Sequence, residues 1–244
     1  MIPVTADPLS RLASLEGVPS AYAAARDGID AMLRDRGLRR TSPEATAESL
    51  LRGAHASGVL EGSGSSLAEV RAGAGDEVAG DAVRVSTELL GLAPAMTRTP
   101  LQALARIHAL AAARLPEEQR GRPRDGAAAD RLRGVGDLLT ADTSAPALLV
   151  AAVVHAELAT AAPFGSHNGI VARAAERLVL VALGVDEKSL VVPEAGHLAL
   201  RAAYESNLRG YATGGAAGVH AWLLYAAEAY AAGAEASPLR RAVE

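Results

Sequence analysis

The fold of this chain is decided by the stretch APFGSHNGIVAR, residues 162–173. The stretch contains a glycine-rich turn between two apolar runs, residues 146–161 and 170–183. Runs of this length are too long for single strands and indicate buried helices. Few other segments alternate apolar and polar residues with β-branched side chains, which disfavours a sheet. The sequence therefore predicts an all-α protein built around a central helix–loop–helix.

The turn itself has the composition of an anion-binding position. Gly165, Asn168 and Gly169 precede the second apolar run directly. The first N–H groups of a helix have no acceptor within the helix and lie at the positive end of its dipole, so they can hold a phosphate or another anion. Glycine and asparagine also form ordinary corners between helices. On residue chemistry alone, a plain structural turn is the alternative.

This turn resembles the signature loop of the Fic/Doc (Fido) family, which is written HPFx[D/E]GNGRxxR. Five positions match in register: Pro163, Phe164, Asn168, Gly169 and Arg173. The resemblance implies a Fido-like helical domain. In that family a small β-hairpin flap precedes the loop, and residues 116–126, which break the helical periodicity, are the candidate for it. A solvated surface loop is the alternative for the same residues.

The departures from the signature fall at the positions that carry the family's chemistry. Ala162 stands at the catalytic histidine, Ser166 at the metal-binding acid, His167 at a loop glycine and Ile170 at the first arginine. In the family the histidine deprotonates a target hydroxyl, the acid binds Mg²⁺ on ATP, and the arginines hold the triphosphate while AMP is transferred. Loss of a general base alone typically costs roughly 10²–10⁴ in rate. The resemblance thus implies a degenerate member that lacks AMP-transferase activity and is not expected to bind Mg²⁺ strongly.

What remains of the loop still defines a candidate site. The resemblance and the anion-binding turn together give the candidate residues for binding ATP or another nucleotide: Gly165, Ser166, Asn168, Gly169 and Arg173. His167 is the candidate for a displaced catalytic base, although its side chain would also crowd the phosphate position. No metal ligands are assigned.

A second motif lies upstream of the loop. The segment SGVLEG, residues 57–62, fits the pattern [S/T]xxxE[G/N] of the inhibitory helix found in many Fic proteins. The resemblance implies that Glu61 is regulatory and pairs with the second arginine of the signature, which is Arg173 here. The alternative is a surface position for Glu61 at a helix end. His155, seven residues before Ala162, matches a histidine often found on the preceding helix of the family.

Composition and charge exclude several classes of protein. The 244 residues carry a net charge of -4 and only 3% aromatic residues, so neither a basic surface nor base-stacking side chains favour nucleic acid. No apolar run reaches the length of a membrane span, and the first residues do not resemble a signal peptide. Cysteine is absent, which is compatible with a reducing compartment. We expect a cytoplasmic protein that binds neither nucleic acid nor membrane; its oligomeric state is left open.

The chain divides into three parts in this interpretation. Residues 1–40 form an N-terminal helical extension, with one helix at about residues 20–36 packed loosely on the body. Residues 41–235 form the Fido-like domain, and residues 236–244 form a C-terminal tail. Within the domain, periodicity predicts helices at residues 43–61, 76–92, 128–139, 194–209 and 219–232, the second of them closed by Pro94.

Three functions remain open from the sequence. The favoured one is a catalytically inactive Fido-like protein that binds a nucleotide or a protein partner. The second is a divergent enzyme that transfers a nucleotidyl or phosphate group to a protein hydroxyl with another base. The third is a helical interaction module whose loop has no ligand.

Overall fold

All regular structure in the computed structural model, which describes residues 7–35 and 42–240, is helical. The thirteen α-helices of these residues are α1 Pro8–Ala13, α2 Val18–Asp35, α3 Pro43–Leu60, α4 Leu67–Arg71, α5 Glu77–Glu88, α6 Ala93–Arg98, α7 Pro100–Ala111, α8 Gly126–Thr140, α9 Ala147–Ala161, α10 Asn168–Ala182, α11 Pro193–Ala199, α12 Arg201–Thr213 and α13 Gly215–Glu235. Short 3₁₀ turns lie at Leu89–Leu92 and Glu117–Gln119. The all-α prediction is confirmed.

Helices α9 and α10 form the centre of the protein and pack against each other. Residues on every face of α9 are buried, among them Leu149, Ala151 and Val154, each with no exposed surface. A helix that is apolar all round can only lie inside a helical layer. On the far side of α9, the Trp222 indole of α13 donates a hydrogen bond to the Ala152 carbonyl at 2.9 Å. This arrangement fixes the loop between α9 and α10 at one end of a rigid core.

The N-terminal helix packs more tightly than the sequence suggested. Tyr22, Ile29 and Met32 of α2 are buried, and the helix lies mainly against α13. The expectation of loose packing was therefore wrong, because the apolar face of α2 completes the same core. The predicted boundary at residue 40 lies outside the described residues, as do residues 241–244 of the predicted tail.

Several helix ends differ from the predicted ones. Helix α3 begins at Pro43 as predicted, but the helix expected at residues 76–92 ends at Glu88. Pro94 does not close that helix; it lies in the first turn of α6, where its missing N–H has no helical partner to lose. The helix expected at residues 194–209 is interrupted at Leu200, between α11 and α12.

The segment before the signature turn contains no hairpin. Residues 116–126 hold the 3₁₀ turn and an irregular connection, so the β-hairpin flap was a wrong expectation for this chain. Pro116 and Pro123 each lack an N–H for strand pairing, and Gly121 has a positive φ of 69°. The segment is nevertheless tied to the turn, because the backbone N–H of Arg124 donates to the Pro163 carbonyl at 2.9 Å.

Within the described residues, none of the helices has the length and apolar character that crossing a bilayer would require.

Candidate functional site

The signature turn is closed by one side chain. Asn168, the first residue of α10, accepts a hydrogen bond from the Phe164 N–H at 2.9 Å and donates to the Phe164 carbonyl at 3.0 Å. The Phe164 ring is buried and stacks on the His108 ring of α7, with 4.2 Å between centroids. Two of the residues that match the signature therefore shape the turn, and the Asn168 amide faces into it.

The turn begins and ends with residues in the left-handed region of the backbone. Ala162, which caps the C-terminus of α9, has φ 43°, and His167, which precedes α10, has φ 57°. Residues other than glycine rarely adopt this backbone conformation, whereas glycine adopts it freely. The structure thus gives the reason for a glycine at the position of His167 in the signature. In this chain a histidine occupies that position at a cost in backbone strain.

Glu61 and Arg173 meet as an ion pair. The guanidinium Nη2 of Arg173 lies 2.7 Å from the Glu61 carboxylate, Arg173 is fully buried, and about a third (32%) of the Glu61 side chain is exposed. Arg173 also donates to the Ser57 hydroxyl at 3.0 Å, to the Ser57 carbonyl at 3.2 Å and to the Tyr204 hydroxyl at 3.2 Å. Both ends of the segment 57–62 therefore hold one arginine of α10.

The Glu61 carboxylate lies over the first turn of α10. A Cβ atom built on Gly169 would collide with this carboxylate and would lie 3.1 Å from Arg173 Nη1. The positive end of the α10 dipole is the position where an anionic ligand is expected. In this structure the protein's own carboxylate lies there, so the anion-binding position predicted from the turn faces an internal anion.

A cavity of about 410 Å³ opens on the other side of the turn. Its walls include Gly165, Ser166, His108, Arg122 and Arg124. A cavity of this size falls in the range of small-molecule sites. Of the predicted binding residues, Gly165 and Ser166 face this cavity, whereas Gly169 and Arg173 lie under Glu61. The sequence did not predict this division of the site into two compartments.

Arg124 closes the boundary of the cavity beside Ala162. Its Nη1 donates to the Ala162 carbonyl at 2.7 Å, and its Nη2 lies 3.4 Å from the Ala161 carbonyl. A cation at the C-terminus of a helix binds carbonyls that have no helical partner and is favoured by the dipole. Arg124 therefore stabilises the end of α9 at Ala162.

His167 links the turn to α5. Its Nδ1 lies 2.6 Å from the Ser166 hydroxyl, and its Nε2 lies 3.2 Å from Oδ2 of Asp81. The Asp81 carboxylate is buried and also contacts the guanidinium groups of Arg84 and Arg114. Sequence analysis had singled out Ser166 and His167 but not Asp81, which lies 86 residues away from His167 in the chain.

A buried polar network continues from Arg173 into the core. Oε2 of Glu176 lies 2.8 Å from His155 Nδ1 and 2.9 Å from His197 Nε2, and all three side chains are fully buried. The outer nitrogen of His155 lies 2.9 Å from the Tyr204 hydroxyl, and that of His197 lies 2.8 Å from the Tyr225 hydroxyl. A continuous series of hydrogen bonds therefore runs from Arg173 to Tyr225, through Tyr204, His155, Glu176 and His197.

The charges of this network follow from its geometry. Burial alone would raise the pKa of Glu176, but the two imidazoles outweigh it and hold the pKa of this carboxyl well below its ordinary value. Burial lowers the pKa of His155 more than Glu176 raises it. A carboxylate only accepts hydrogen bonds, so the ring nitrogens that face Glu176 carry protons. Two histidines and a carboxylate are also ligand types of Zn²⁺, and the N···O separations of 2.8 and 2.9 Å in this cluster are hydrogen-bond distances.

The sequence of α10 contains a signal for this network. After its first residue, Asn168, helix α10 is apolar except for Arg173, Glu176 and Arg177, which lie on neighbouring turns and are all buried. Buried charges require partners. Arg177 finds its partner in Glu194 of α11 at 2.6 Å, beside the Ser49 and Ser189 hydroxyls. Charged residues on an otherwise apolar helix thus indicate internal ion pairs, but they do not identify the partners.

Comparison with known proteins gives similarity in structure only. No protein-family model matches the chain, and no curated protein matches it. A Fic family protein from Desulfovibrio desulfuricans G20 superposes with a TM-score of 0.74, covering 91% of this chain and 74% of that one at 16% identity. Fic-1 from C. elegans gives a TM-score of 0.66 over 89% of this chain and 73% of that one at 17% identity. A substituted form of Fic-1 gives a TM-score of 0.65 over 87% and 70% at 16% identity.

These identities are too low to transfer an activity, but the superpositions span nearly the whole chain. They agree with the purely helical architecture of the described residues. The protein therefore has the fold of the Fic (Fido) proteins.

Proposed function

We propose that this protein is a degenerate Fic-like protein without AMP-transferase activity, whose signature turn binds a nucleotide or a related anion when Glu61 moves away. The observation that carries the proposal is the Glu61 carboxylate, which lies over Gly169 and pairs with Arg173 at 2.7 Å. A site built to hold an anion at a helix N-terminus is thereby closed by an internal anion.

The residues at the catalytic positions support the loss of transferase activity. Ala162 has no group that accepts a proton. Ile170 is buried in the core, so it offers no substitute for the first arginine of the signature. The Ser166 hydroxyl replaces a carboxylate and lies within hydrogen-bond distance of His167, which makes the donor set a poor match for Mg²⁺. Together these substitutions remove the base, the metal ligand and one charge that stabilises the transition state.

Opening of the site requires that Glu61 be displaced, and its partial exposure makes this feasible. The rest of the Arg173 contacts, to Ser57 and Tyr204, do not involve Glu61. Arg173 would therefore stay in place and present its Nη2 to an incoming phosphate. We propose that a protein partner which contacts the C-terminal end of α3 controls this displacement, in the cytoplasm.

Calorimetric titration with ATP tests the proposal. We expect at least tenfold tighter binding of ATP to Glu61→Gly than to the wild type, because the competing carboxylate is removed. The double variant Glu61→Gly, Arg173→Met is the control and should lose the gain. Glu44→Gln, at an exposed glutamate in the first turn of the same helix, should bind ATP as the wild type does. Equal affinity of the wild type and Glu61→Gly would overturn the proposal.

A divergent transferase is the second candidate. His167 favours it, because its ring lies in the turn with Nδ1 2.6 Å from the Ser166 hydroxyl, where it can act as a base. Incubation of the protein with labelled ATP, Mg²⁺ or Mn²⁺ and cell lysate distinguishes the two. Protein labelling by the wild type that disappears in His167→Ala would establish the transferase and exclude the inactive protein. ATP binding without labelling would support the inactive protein.

A further inference from the structure

Ser166, which lines the cavity, His167 and the buried Asp81 form a hydroxyl–imidazole–carboxylate series. The Ser166 hydroxyl lies 2.6 Å from His167 Nδ1, and His167 Nε2 lies 3.2 Å from Asp81 Oδ2. These are the distances at which a serine is activated by a histidine that a carboxylate orients. Nucleotide binding at Gly169 and Arg173 does not use this series, because those residues lie on the Glu61 side of the turn.

The direction of the hydrogen bonds suits proton transfer from Ser166. The Asp81 carboxylate accepts hydrogen bonds only, so His167 Nε2 carries the proton between them. His167 Nδ1 is then left with a lone pair, and the Ser166 hydroxyl must donate to it. Arg84 and Arg114 hold Asp81 from the other side, and its side chain is only 2% exposed. The carboxylate therefore has a fixed position from which it sets the tautomer of the imidazole.

The backbone of His167 is strained at this position. Its φ of 57° lies in the left-handed region, where a histidine is disfavoured and a glycine is not. Residues held in this region cluster at functional sites. The conformation directs the ring towards both Ser166 and Asp81, which a glycine at this position would leave unconnected.

Ser166 also has access to a ligand. It lines the cavity of about 410 Å³, together with Leu115, Arg122 and Arg124.

We propose that Ser166 is a nucleophile for acyl transfer, with His167 as its base and Asp81 as the positioning residue. The substrate class is a small carboxylic ester that carries an anionic group, because the cavity wall presents two guanidinium groups, Arg122 and Arg124, against one carboxylate, Glu118. This activity goes beyond the proposed function and does not require nucleotide binding.

The reaction balances with water as the only co-reactant. Ser166 Oγ bonds to the carbonyl carbon as its proton passes to His167 Nδ1; the bond from this carbon to the leaving oxygen then breaks, and the alcohol takes that proton. Water attacks the acyl-serine and gives a proton to Nδ1. The bond between Oγ and the carbonyl carbon breaks, the proton returns to Oγ, and a carboxylic acid leaves.

A fluorophosphonate probe tests the nucleophile without knowledge of the natural ester. We expect covalent labelling of the full chain at Ser166, located by mass spectrometry of the digested protein, and none at this position in Ser166→Ala. Ser144→Ala, at an exposed serine before α9, is the matched control and should be labelled like the wild type. A general base typically contributes about 10²–10⁴ in rate, so His167→Gln should be labelled slower by that factor.

The role of His167 has a second test that does not depend on a bulky substitution. His167→Gly suits the left-handed backbone and leaves space beside Ser166, so the variant should fold and should regain labelling when imidazole is added to the solution. Asp81→Asn should slow labelling and move the midpoint of its pH–rate profile to lower pH, because the charge facing His167 is lost. This variant keeps the other charged and titratable groups near the pair. These are Arg84 and Arg114, which contact residue 81, and His108, whose ring centroid lies 6.3 Å from that of His167.

Two results would overturn the proposal. One is the absence of labelled Ser166 at millimolar probe over hours in the folded wild type. The other is labelling of Ser166 at equal rates in the wild type and in His167→Gly without imidazole. Neither result bears on the affinity for ATP, so a failure here is distinguishable from a failure of the proposed nucleotide site.

Discussion

Glu61 and Arg173 are joined across 112 residues of sequence by a contact of 2.7 Å, and they differ sharply in exposure. The carboxylate reaches solvent, whereas the guanidinium is enclosed by α3, α10 and the hydroxyl of Tyr204. This difference in exposure determines how much stability a substitution of either residue costs.

Loss of Arg173 should cost more stability than loss of Glu61. We expect Arg173→Met to lower the free energy of unfolding by about 3–5 kcal/mol, because Ser57 and Tyr204 lose a buried donor. Glu61→Gln should cost only about 1 kcal/mol, since the partly exposed pair is screened by solvent. Urea unfolding of both variants and of the double variant measures the difference. Equal costs would contradict the burial of Arg173 described above.

Gly169 leaves room for the Glu61 carboxylate. In the wild type, Gly169→Ala places a methyl group where the carboxylate lies, so we expect about 1–2 kcal/mol of destabilisation from the displaced ion pair. In a Glu61→Gly background the same substitution should be neutral or stabilising, because alanine favours the helix by up to about 1 kcal/mol. The coupling is obtained from a double-mutant cycle by urea unfolding. A coupling energy near zero would mean that the Glu61 carboxylate does not lie over Gly169 in solution.

Asn168 holds the turn through two hydrogen bonds to one residue. Asn168→Ala removes both contacts with Phe164 and should cost about 1–3 kcal/mol, at roughly 0.5–1.5 kcal/mol for each bond. Asn168→Asp keeps the acceptor and loses the donor, so its cost should be intermediate. Amide hydrogen exchange of the Phe164 N–H should speed up in the first variant and less in the second. Unchanged exchange in both would show that the turn is held by other contacts.

His108 should make the protein sensitive to mild acid. Burial, with a smaller contribution from His167, lowers the pKa of His108 from 6.5 to about 4. The unfolded chain therefore takes up a proton between these values that the folded chain does not, and stability falls as the pH is lowered from about 6.5 towards 4. Between pH 7.5 and pH 5 this residue should account for about 2 kcal/mol of lost stability.

The variant His108→Asn tests this expectation, since its amide oxygen can still accept the Gly121 N–H that bonds His108 Nδ1 at 2.8 Å. Urea unfolding at pH 7.5 and pH 5 should show a smaller difference for this variant than for the wild type. His220→Asn, on the exposed side of α13, is the control and should keep the wild-type difference. A variant that loses as much stability as the wild type would contradict the prediction.

The helices were predictable because their apolar periodicity is local information. The start of α3 follows from Pro43, which is tolerated only in the first turn of a helix. A proline can follow the end of one helix or lie in the first turn of the next, however. Pro94 was predicted to close a helix, but it lies in the first turn of α6. The break at Leu200 has no glycine or proline beside it, so it depends on packing between distant segments.

The candidate site was predictable to the extent that it lies in short motifs. The segment 57–62 and the turn together predicted which glutamate would face which arginine, and the structure shows them in contact. The partners of His167 and Glu176 could not be predicted, because Asp81 and His197 lie on separate helices with no motif around them. Whether a residue of the turn faces the cavity or the Glu61 side is likewise set by tertiary packing.

The hydrogen bonds from Arg173 through Tyr204 and His155 to Glu176 have a consequence for inheritance. None of these four side chains can be exchanged alone without leaving an enclosed charge or hydroxyl uncompensated. Substitutions at these four positions should therefore accumulate together during evolution. Gly165 and Arg122 line the open cavity, so each of them can be substituted alone. The walls of the cavity can thus change over evolution while the buried network is kept.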